Sequence, residues 1–302
     1  MISMIVCSVD PAKLEKFCEN VLMTVGCPCE FVVHDNRETG YGITHVYNLC
    51  AAKAKGEYLC FAHEDIFFRT PNWGERIVSL LQKPTTGVVG FAGSTAKLAA
   101  YSGWGSMKQY TRYNYIQRFR NGSIKYCIAN PDKVSASPVI VLDGMCLFMR
   151  RNVWAEFRFD EDTFRGFHLY DLDISMAVGQ KYTNYVTNDI LLEHFSEGSY
   201  NQAWLDDTAK FHKKWADRLP FYLKKPNSLV AYFREIKMSF RFIRMLMKKR
   251  VGSWDFIETC CHEHFKRYYW HISSLKCCNA FTSTNVSGVA RADFESYFYF
   301  CM

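Results

Sequence analysis

The 302 residues predict an α/β fold: a mostly parallel central sheet flanked by helices, followed by a helical C-terminal extension. Three observations carry this. Short apolar, β-branched runs alternate with segments whose apolar residues recur at helical spacing, the signature of strand–helix–strand units. Asp10, Asp35 and Asp65 each follow closely on such a run, and open α/β sheets collect ligands beyond the carboxyl ends of their strands. The charge also changes abruptly near residue 213: residues 1–212 carry 21 basic and 23 acidic groups, whereas 213–250 carry 12 and 2. A domain over 1–215 and a basic, aromatic-rich helical region over 216–302 follow from that shift.

Taken in order, residues 2–8 form the first strand, and Asp10-Pro11 supplies an N-cap and a first-turn proline. Leu14, Phe17, Cys18, Val21 and Leu22 then recur at helical spacing. Residues 30–34 read as a second strand. Polar residues lead from there into a helix with Ile43, Val46, Tyr47, Cys50, Ala51 and Ala54 on one side, and Gly56 stands where a C-cap is wanted. A third strand, 58–62, runs into His63-Glu64-Asp65. Residues 87–92 form a short strand, 93–137 predict polar and aromatic loops that cover a site, and 138–149 form a buried strand pair broken at Asp143-Gly144. Leu219-Pro220 and Lys225-Pro226 mark boundaries before a basic helix.

Composition narrows the class. With 49% hydrophobic and 22% charged residues the chain is globular rather than disordered. The opening MISMIVCSVD is interrupted too soon for a signal peptide, and no apolar window reaches the length of a membrane span, so a cytoplasmic protein is expected. Thirteen scattered cysteines predict reduced thiols rather than a disulfide scaffold. Cys260, Cys261, His262, His264, Cys277 and Cys278 contain zinc-ligand types, but adjacent cysteines lack the usual two-residue gap. They read as buried thiols of a helix pair.

Three clusters could carry chemistry. In CFAHEDIFF a charged triplet sits between apolar runs, where each group needs a partner to offset lost hydration. Asp65 there offers a hard oxygen to Mg²⁺ or Mn²⁺; a helix cap or surface turn is the plain alternative. In FRGFHLYDLDISM, Asp171 and Asp173 stand two apart among aromatics. On an extended segment they point to one side and on a helix they diverge, and one of them could instead cap the helix. Carboxylates in such surroundings gain the proton affinity a general base needs. In LLEHFSEGSYNQAW, His194 precedes a flexible polar loop containing Ser196, Gly198 and Ser199.

The order of these segments, from CSVD and HDN through GITHVYNLCAAKAKGEYLCFAHEDIFF and VLDGMCLFMRRNVW to FDEDTFRGFHLYDLDISM and LEHFSEGSYNQAW, resembles the GT-A glycosyltransferases of the family 2-like, bacterial group over residues 1–215. That resemblance implies a nucleotide-sugar-binding α/β domain and inverting transfer of a sugar, of hexosyltransferase type, to an acceptor hydroxyl in cell-surface polysaccharide or glycolipid synthesis. Carried over by position, Ser8, Val9, Asp10, Asp35, Asn48, His63, Glu64 and Asp65 would bind the donor. Asp65 and His194 would hold a divalent cation, Mn²⁺ or Mg²⁺, bridging the diphosphate. Asp143, Gly144 and His168 would face the acceptor. Asp171 would be the base, with Asp173 beside it in the catalytic pair. His63 stands where the family has its first acid, which leaves fewer anionic ligands, and Tyr170 stands where it has a glutamate.

The implied partners are a nucleotide-sugar donor, a UDP-sugar first among them, and a saccharide or lipid-linked acceptor. Residues 213–250 interleave cations with Leu229, Tyr232, Phe233, Ile236, Phe240, Ile243, Leu246 and Met247 at helical spacing. Such a helix either lies on an anionic membrane surface, at the inner face of the plasma membrane, or packs on the domain with a solvated basic face. Two rival functions remain: a GT-A-like domain without catalysis that binds nucleotide or a partner, and nucleic-acid binding through the basic stripe. The second explains the charge but gives the acidic strand ends no purpose, and no nucleic-acid partner is expected.

Overall fold

The computed structural model describes residues 1–253 apart from 106, 197 and 199, together with Phe256. The Cys260–Cys278 cluster and Ser199 lie outside the described residues. The chain opens with β1 (Ile2–Ser8), α1 (Pro11–Thr24), β2 (Cys29–Asp35), α2 (Ile43–Lys53) and β3 (Tyr58–Ala62). There follow β4 (Ile66–Phe68), α3 (Trp73–Leu81), β5 (Thr86–Gly90), β6 (Ala92–Ser94), β7 (Ala96–Lys97), β8 (Thr111–Arg118) and β9 (Ile124–Ala129). Next come β10 (Ala136–Val139), β11 (Val141–Leu142), β12 (Cys146–Arg150), α4 (Arg151–Phe157), α5 (Tyr170–Val178), β13 (Thr183–Thr187) and β14 (Leu192–His194). The described chain closes with α6 (Gln202–Lys214), β15 (Phe221–Tyr222) and α7 (Ser228–Lys249).

The expected α/β architecture is present. A seven-stranded sheet in the order β10-β13-β5-β12-β3-β1-β2 forms the spine. Its central strands β1, β3, β5 and β12 are buried on both faces, so their residues divide by a period of two. Ile2, Met4, Val6, Cys60 and Ala62 join the core under α1 and α3. Ile5, Leu59 and Phe61 join the opposite core under α2, α4 and α5. The parallel unit β3-β1-β2 pairs Ser8 with Asp35 and Val6 with Ala62, which sets these strand ends side by side. Strand β12 enters antiparallel between β3 and β5, and β10 is antiparallel to β13. The sheet is therefore more mixed than strand–helix alternation predicts, because β12 returns from a second sheet rather than from a crossover helix.

That second sheet, β11-β6-β8-β14-β4 with β9 on β8, is where the sequence expectation of loops over 93–137 fails. Strand β8 alternates buried and half-buried residues along TRYNYIQR, a strand pattern masked by its polar and aromatic composition. Among the passages of the chain between the two sheets are three short ones: His63-Glu64-Asp65 between β3 and β4, Phe91 between β5 and β6, and Asp143-Gly144-Met145 between β11 and β12. Backbone hydrogen bonds tie these crossings together, from His63 N to Met145 O (3.1 Å) and from Asp143 N to Ala92 O (2.8 Å).

Other differences are local. Leu22 is 64% exposed, and α1 packs through Phe17 and Val21. Helix α2 ends at Ala54 rather than Gly56. Gly56 is instead pressed onto β1, where a Cβ would lie 2.6 Å from Ser3 Oγ and 2.7 Å from Met1 O. Helix α7 buries Glu235, Met238, Phe242, Ile243 and Leu246. Leu229, Phe233 and Met247, expected on an apolar stripe, are exposed. The difference arises because Glu235 faces inward, its carboxylate accepting from Ala99 N at 3.0 Å and Ala100 N at 2.8 Å. Among the described residues no helix is long and apolar enough to cross a membrane.

Candidate functional site

The site is assembled where the chain crosses between sheets. Strand β14 lies antiparallel to β4, with His194 opposite Ile66, and Phe195 N donates to Asp65 O at 2.9 Å. This ladder sets the His194 side chain beside Asp65, 3.6 Å from Nε2 to Oδ1. His63 approaches from the other side, its Nδ1 4.0 Å from the same oxygen. One ligand atom from each of the three residues falls within 4.8 Å of the other two. Asp65 Oδ1 is buried and has no hydrogen-bond partner among the described residues. A buried carboxylate oxygen without a donor costs free energy unless a cation meets it. The residues therefore fit a divalent ion held by two imidazole nitrogens and one carboxylate.

The tautomer of His63 follows from its neighbours. Tyr170 Oη has one proton and donates it to Gly144 O at 3.1 Å. It must then accept from His63 Nε2, 3.0 Å away, so Nε2 carries the proton and Nδ1 presents a lone pair toward Asp65. Burial holds the His63 ring below the ordinary histidine range, with Asp65 pulling the other way. The neutral form is the ligating one. Only glycine permits this arrangement at position 144, because a Cβ there would sit 2.3 Å from Tyr170 Oη.

Helix α5 begins at Tyr170 after Leu169, which takes a left-handed conformation (φ 60°). Asp171 and Asp173 both stand in its first turn, and as the sequence required of a helix they diverge. Asp171 faces Asp143 and Gly144. Its carboxyl is pushed up to about 7, first by burial and then by the charge of Asp143, while backbone N–H groups of Leu172 and Gly144 oppose the shift. Asp173 points the other way, into α6, accepting from Lys214 Nζ and Trp215 Nε1 at 2.8 Å each. These bonds anchor α5 to α6. Burial raises the proton affinity of Asp173 and Lys214 lowers it.

Several residues expected at the donor hold the scaffold. Glu64 is buried and accepts from Ser8 Oγ (2.5 Å), Val9 N (3.1 Å) and Asp10 N (3.0 Å), fastening the end of β1 to the end of β3. Ser8 thus spends its hydroxyl on Glu64, and the Val9 side chain is exposed. Asp10 caps α1, accepting from Ala12 N and Lys13 N. Asn48 is buried in α2, with its amide donating to Phe159 O and its carbonyl accepting from Trp154 Nε1 and Phe159 N. Asp35 lies at the same sheet edge, exposed and paired with Arg37, whose hydrogen bonds hold its carboxyl down to about 2. His168 turns toward Asn201 and Asp207 at the start of α6 rather than toward Asp65, and its ring is held low by burial. The sequence missed Phe167, whose ring packs 5.3 Å from that of His63, and assigned Tyr170 no role.

Residues 3–217 match the family described as glycosyltransferase-like. Among solved structures, GalNAc-T7 with UDP, GalNAc and Mn²⁺ is 13% identical with a TM-score of 0.48, covering 91% of this chain and 57% of its own. This chain thus spans less than two thirds of that protein. The mannosyltransferase PcManGT of Pyrobaculum calidifontis, in complex with GDP-Man and Mn²⁺, is 13% identical with a TM-score of 0.47, covering 90% and 83%. S. aureus TarS 1–349 in complex with UDP is 12% identical with a TM-score of 0.48, covering 80% and 72%. No curated protein sequence matches the chain.

Proposed function

The chain belongs to the glycosyltransferase-like family, and from that premise we propose that it is a metal-dependent, inverting hexosyltransferase of GT-A type using a nucleoside-diphosphate sugar, a UDP-sugar first. The observation that carries this reading is the orphaned Asp65 Oδ1 between His63 and His194, with Asp171 in the first turn of α5 facing Asp143, whose charge also acts on His63. His63 Nδ1, Asp65 Oδ1 and a His194 ring nitrogen would hold the ion. Two nitrogen donors favour Mn²⁺ over Mg²⁺. When bound, such an ion acts as a Lewis acid toward the leaving diphosphate.

The remaining work falls to the chain itself. Asp171 takes the proton of the acceptor hydroxyl; a carboxyl near 7 is matched to that task, being about half deprotonated at neutral pH and basic enough to accept. Asp143 and Gly144 border the acceptor side, and Asp35 stands where the base or ribose of the donor would lie. Inversion needs no covalent intermediate, so no nucleophilic Cys or Ser is invoked. The acceptor is a saccharide or lipid-linked saccharide of cell-surface polysaccharide or glycolipid synthesis, met by a cytoplasmic protein attached peripherally at the inner face of the plasma membrane.

Release of nucleoside diphosphate from a panel of nucleotide sugars, with and without Mn²⁺, tests the reading. Transfer with one donor and dependence on Mn²⁺ are expected, and a domain that only binds nucleotide releases none. Asp171→Asn is expected to keep the thermal shift given by the donor and to lose transfer; full activity in that variant removes Asp171 from the mechanism.

A further inference from the structure

Helix α7 presents two different faces. One is packed inward through Met238, Phe242, Ile243 and Leu246. The other is an exposed ridge of Leu229, Phe233, Lys237, Arg241, Arg244 and Lys248, spaced three or four residues apart. Glu235 is the one acid of this helix and is turned inward, so no acidic residue of α7 relieves the charge of the ridge. Alongside it, between the helix and residues 107–109, lies a groove of about 420 Å³. Lys108, Arg234, Lys237 and Arg241 surround Val230 and Phe233 there, and among the described residues no acidic side chain lines it. Its size falls within the roughly 300–1,000 Å³ of small-molecule sites. Arg234 is fixed in place over the Tyr110 ring, 4.9 Å from its centroid.

Four cations held around one groove repel each other and raise the local potential for an anion. Beside them Leu229 is 66% and Phe233 59% exposed. Apolar side chains in water gain nothing from a soluble polyanion but gain by entering the interfacial layer of a bilayer, and a cationic ridge with apolar residues at one end is the pattern of interfacial helices. We propose that this groove binds the phosphate-bearing headgroup of an anionic membrane lipid, with Leu229 and Phe233 entering the interface. The inference rests on the peripheral attachment proposed above and gives it a site and a ligand class.

The test is flotation of the full chain with vesicles of phosphatidylcholine, alone or mixed with phosphatidylglycerol. Flotation is expected with the mixed vesicles only. K237Q/R241Q is expected to lower partitioning about 30-fold, each cation contributing a factor of about five near an anionic surface. K16Q/K53Q, the same charge loss on α1 and α2, is expected to leave it unchanged. F233S is expected to weaken the binding that survives at high salt, where the charges are screened. Wild type that fails to float overturns the inference and the peripheral attachment together. Wild type that floats equally well as K237Q/R241Q overturns the groove and spares the attachment. Tighter binding to a single-stranded oligonucleotide than to mixed vesicles makes this a nucleic-acid surface instead. Lys237 is exposed, so K237Q alone is expected to melt with wild type and to lower partitioning about fivefold, a readout that does not depend on Arg241. Nucleoside diphosphate release with a soluble acceptor, read on the same preparations, keeps these outcomes separate from the glycosyl-transfer reading.

Discussion

Tyr170 shows how one side chain can set the chemistry of another. Its hydroxyl donates to Gly144 O and accepts from His63 Nε2, which leaves His63 Nδ1 free of a proton. Partners that orient a ligating histidine are worth about 10–100-fold in metal affinity. Tyr170→Phe, which keeps the ring and removes the relay, is therefore expected to weaken Mn²⁺ binding by that factor in calorimetry; unchanged affinity would remove the relay. Asp171 makes a second prediction at this scale. Its folded carboxyl titrates at about 7, so kcat/KM is expected to rise with pH through that value, falling about tenfold per unit below it. Because the charge of Asp143 is the second cause of the shift, Asp143→Asn is expected to move the rising limb to lower pH. A limb that stays in place assigns it to another group.

At the scale of elements, the strand ends are fastened by a buried acid rather than left to loop contacts. Glu64 gathers the Ser8 hydroxyl and the backbone N–H groups of Val9 and Asp10, so the crossing between sheets is braced on the β1 side, while on the other Asp65 Oδ1 has no hydrogen-bond partner among the described residues. Glu64→Ala strands three donors in a largely buried place, and a loss of about 3 kcal/mol is expected in urea unfolding. A variant as stable as wild type would show that water satisfies these donors. The same scale explains the divergence of Asp171 and Asp173. Their spacing was visible in the sequence, but whether they share a face depended on α5 starting at Tyr170, one residue before Asp171.

Across the whole molecule, α6 and α7 meet β7, which pairs with β15 in a two-stranded sheet, through a buried polar cluster. Lys97 is fully buried and donates to Ser102 O and Ser102 Oγ at 2.8 Å each, with His212 Nε2 at 3.0 Å and Phe211 beneath it. Burial lowers its ammonium to about 7, with Glu235 of α7 opposing. The unfolded lysine, near 10.5, binds a proton between those values that the folded one lacks, so stability is expected to rise with pH from about 7 to about 10.5. Below 7 both states carry the proton and this contribution is flat. Lys97→Met is expected to remove the slope, as read from urea midpoints across that range; a slope that persists belongs to other groups.

The sequence by itself determined the strand–helix alternation, the acidic residues at strand ends and the charge asymmetry of the C-terminal part, because period and composition are local properties of the chain. It also singled out the segments that hold His63, Asp65, Asp171 and His194, while their roles came from the resemblance of those segments to the GT-A glycosyltransferases. Only the tertiary structure decided which of them meet. The second sheet, hidden in the polar and aromatic segment after residue 93, brings β14 against β4 and so His194 against Asp65. The start of α5 at Tyr170 then separated Asp171 from Asp173, and buried hydrogen bonds made Glu64 and Asn48 braces. Contacts between residues more than a hundred positions apart depend on register and packing, which no single stretch of sequence encodes.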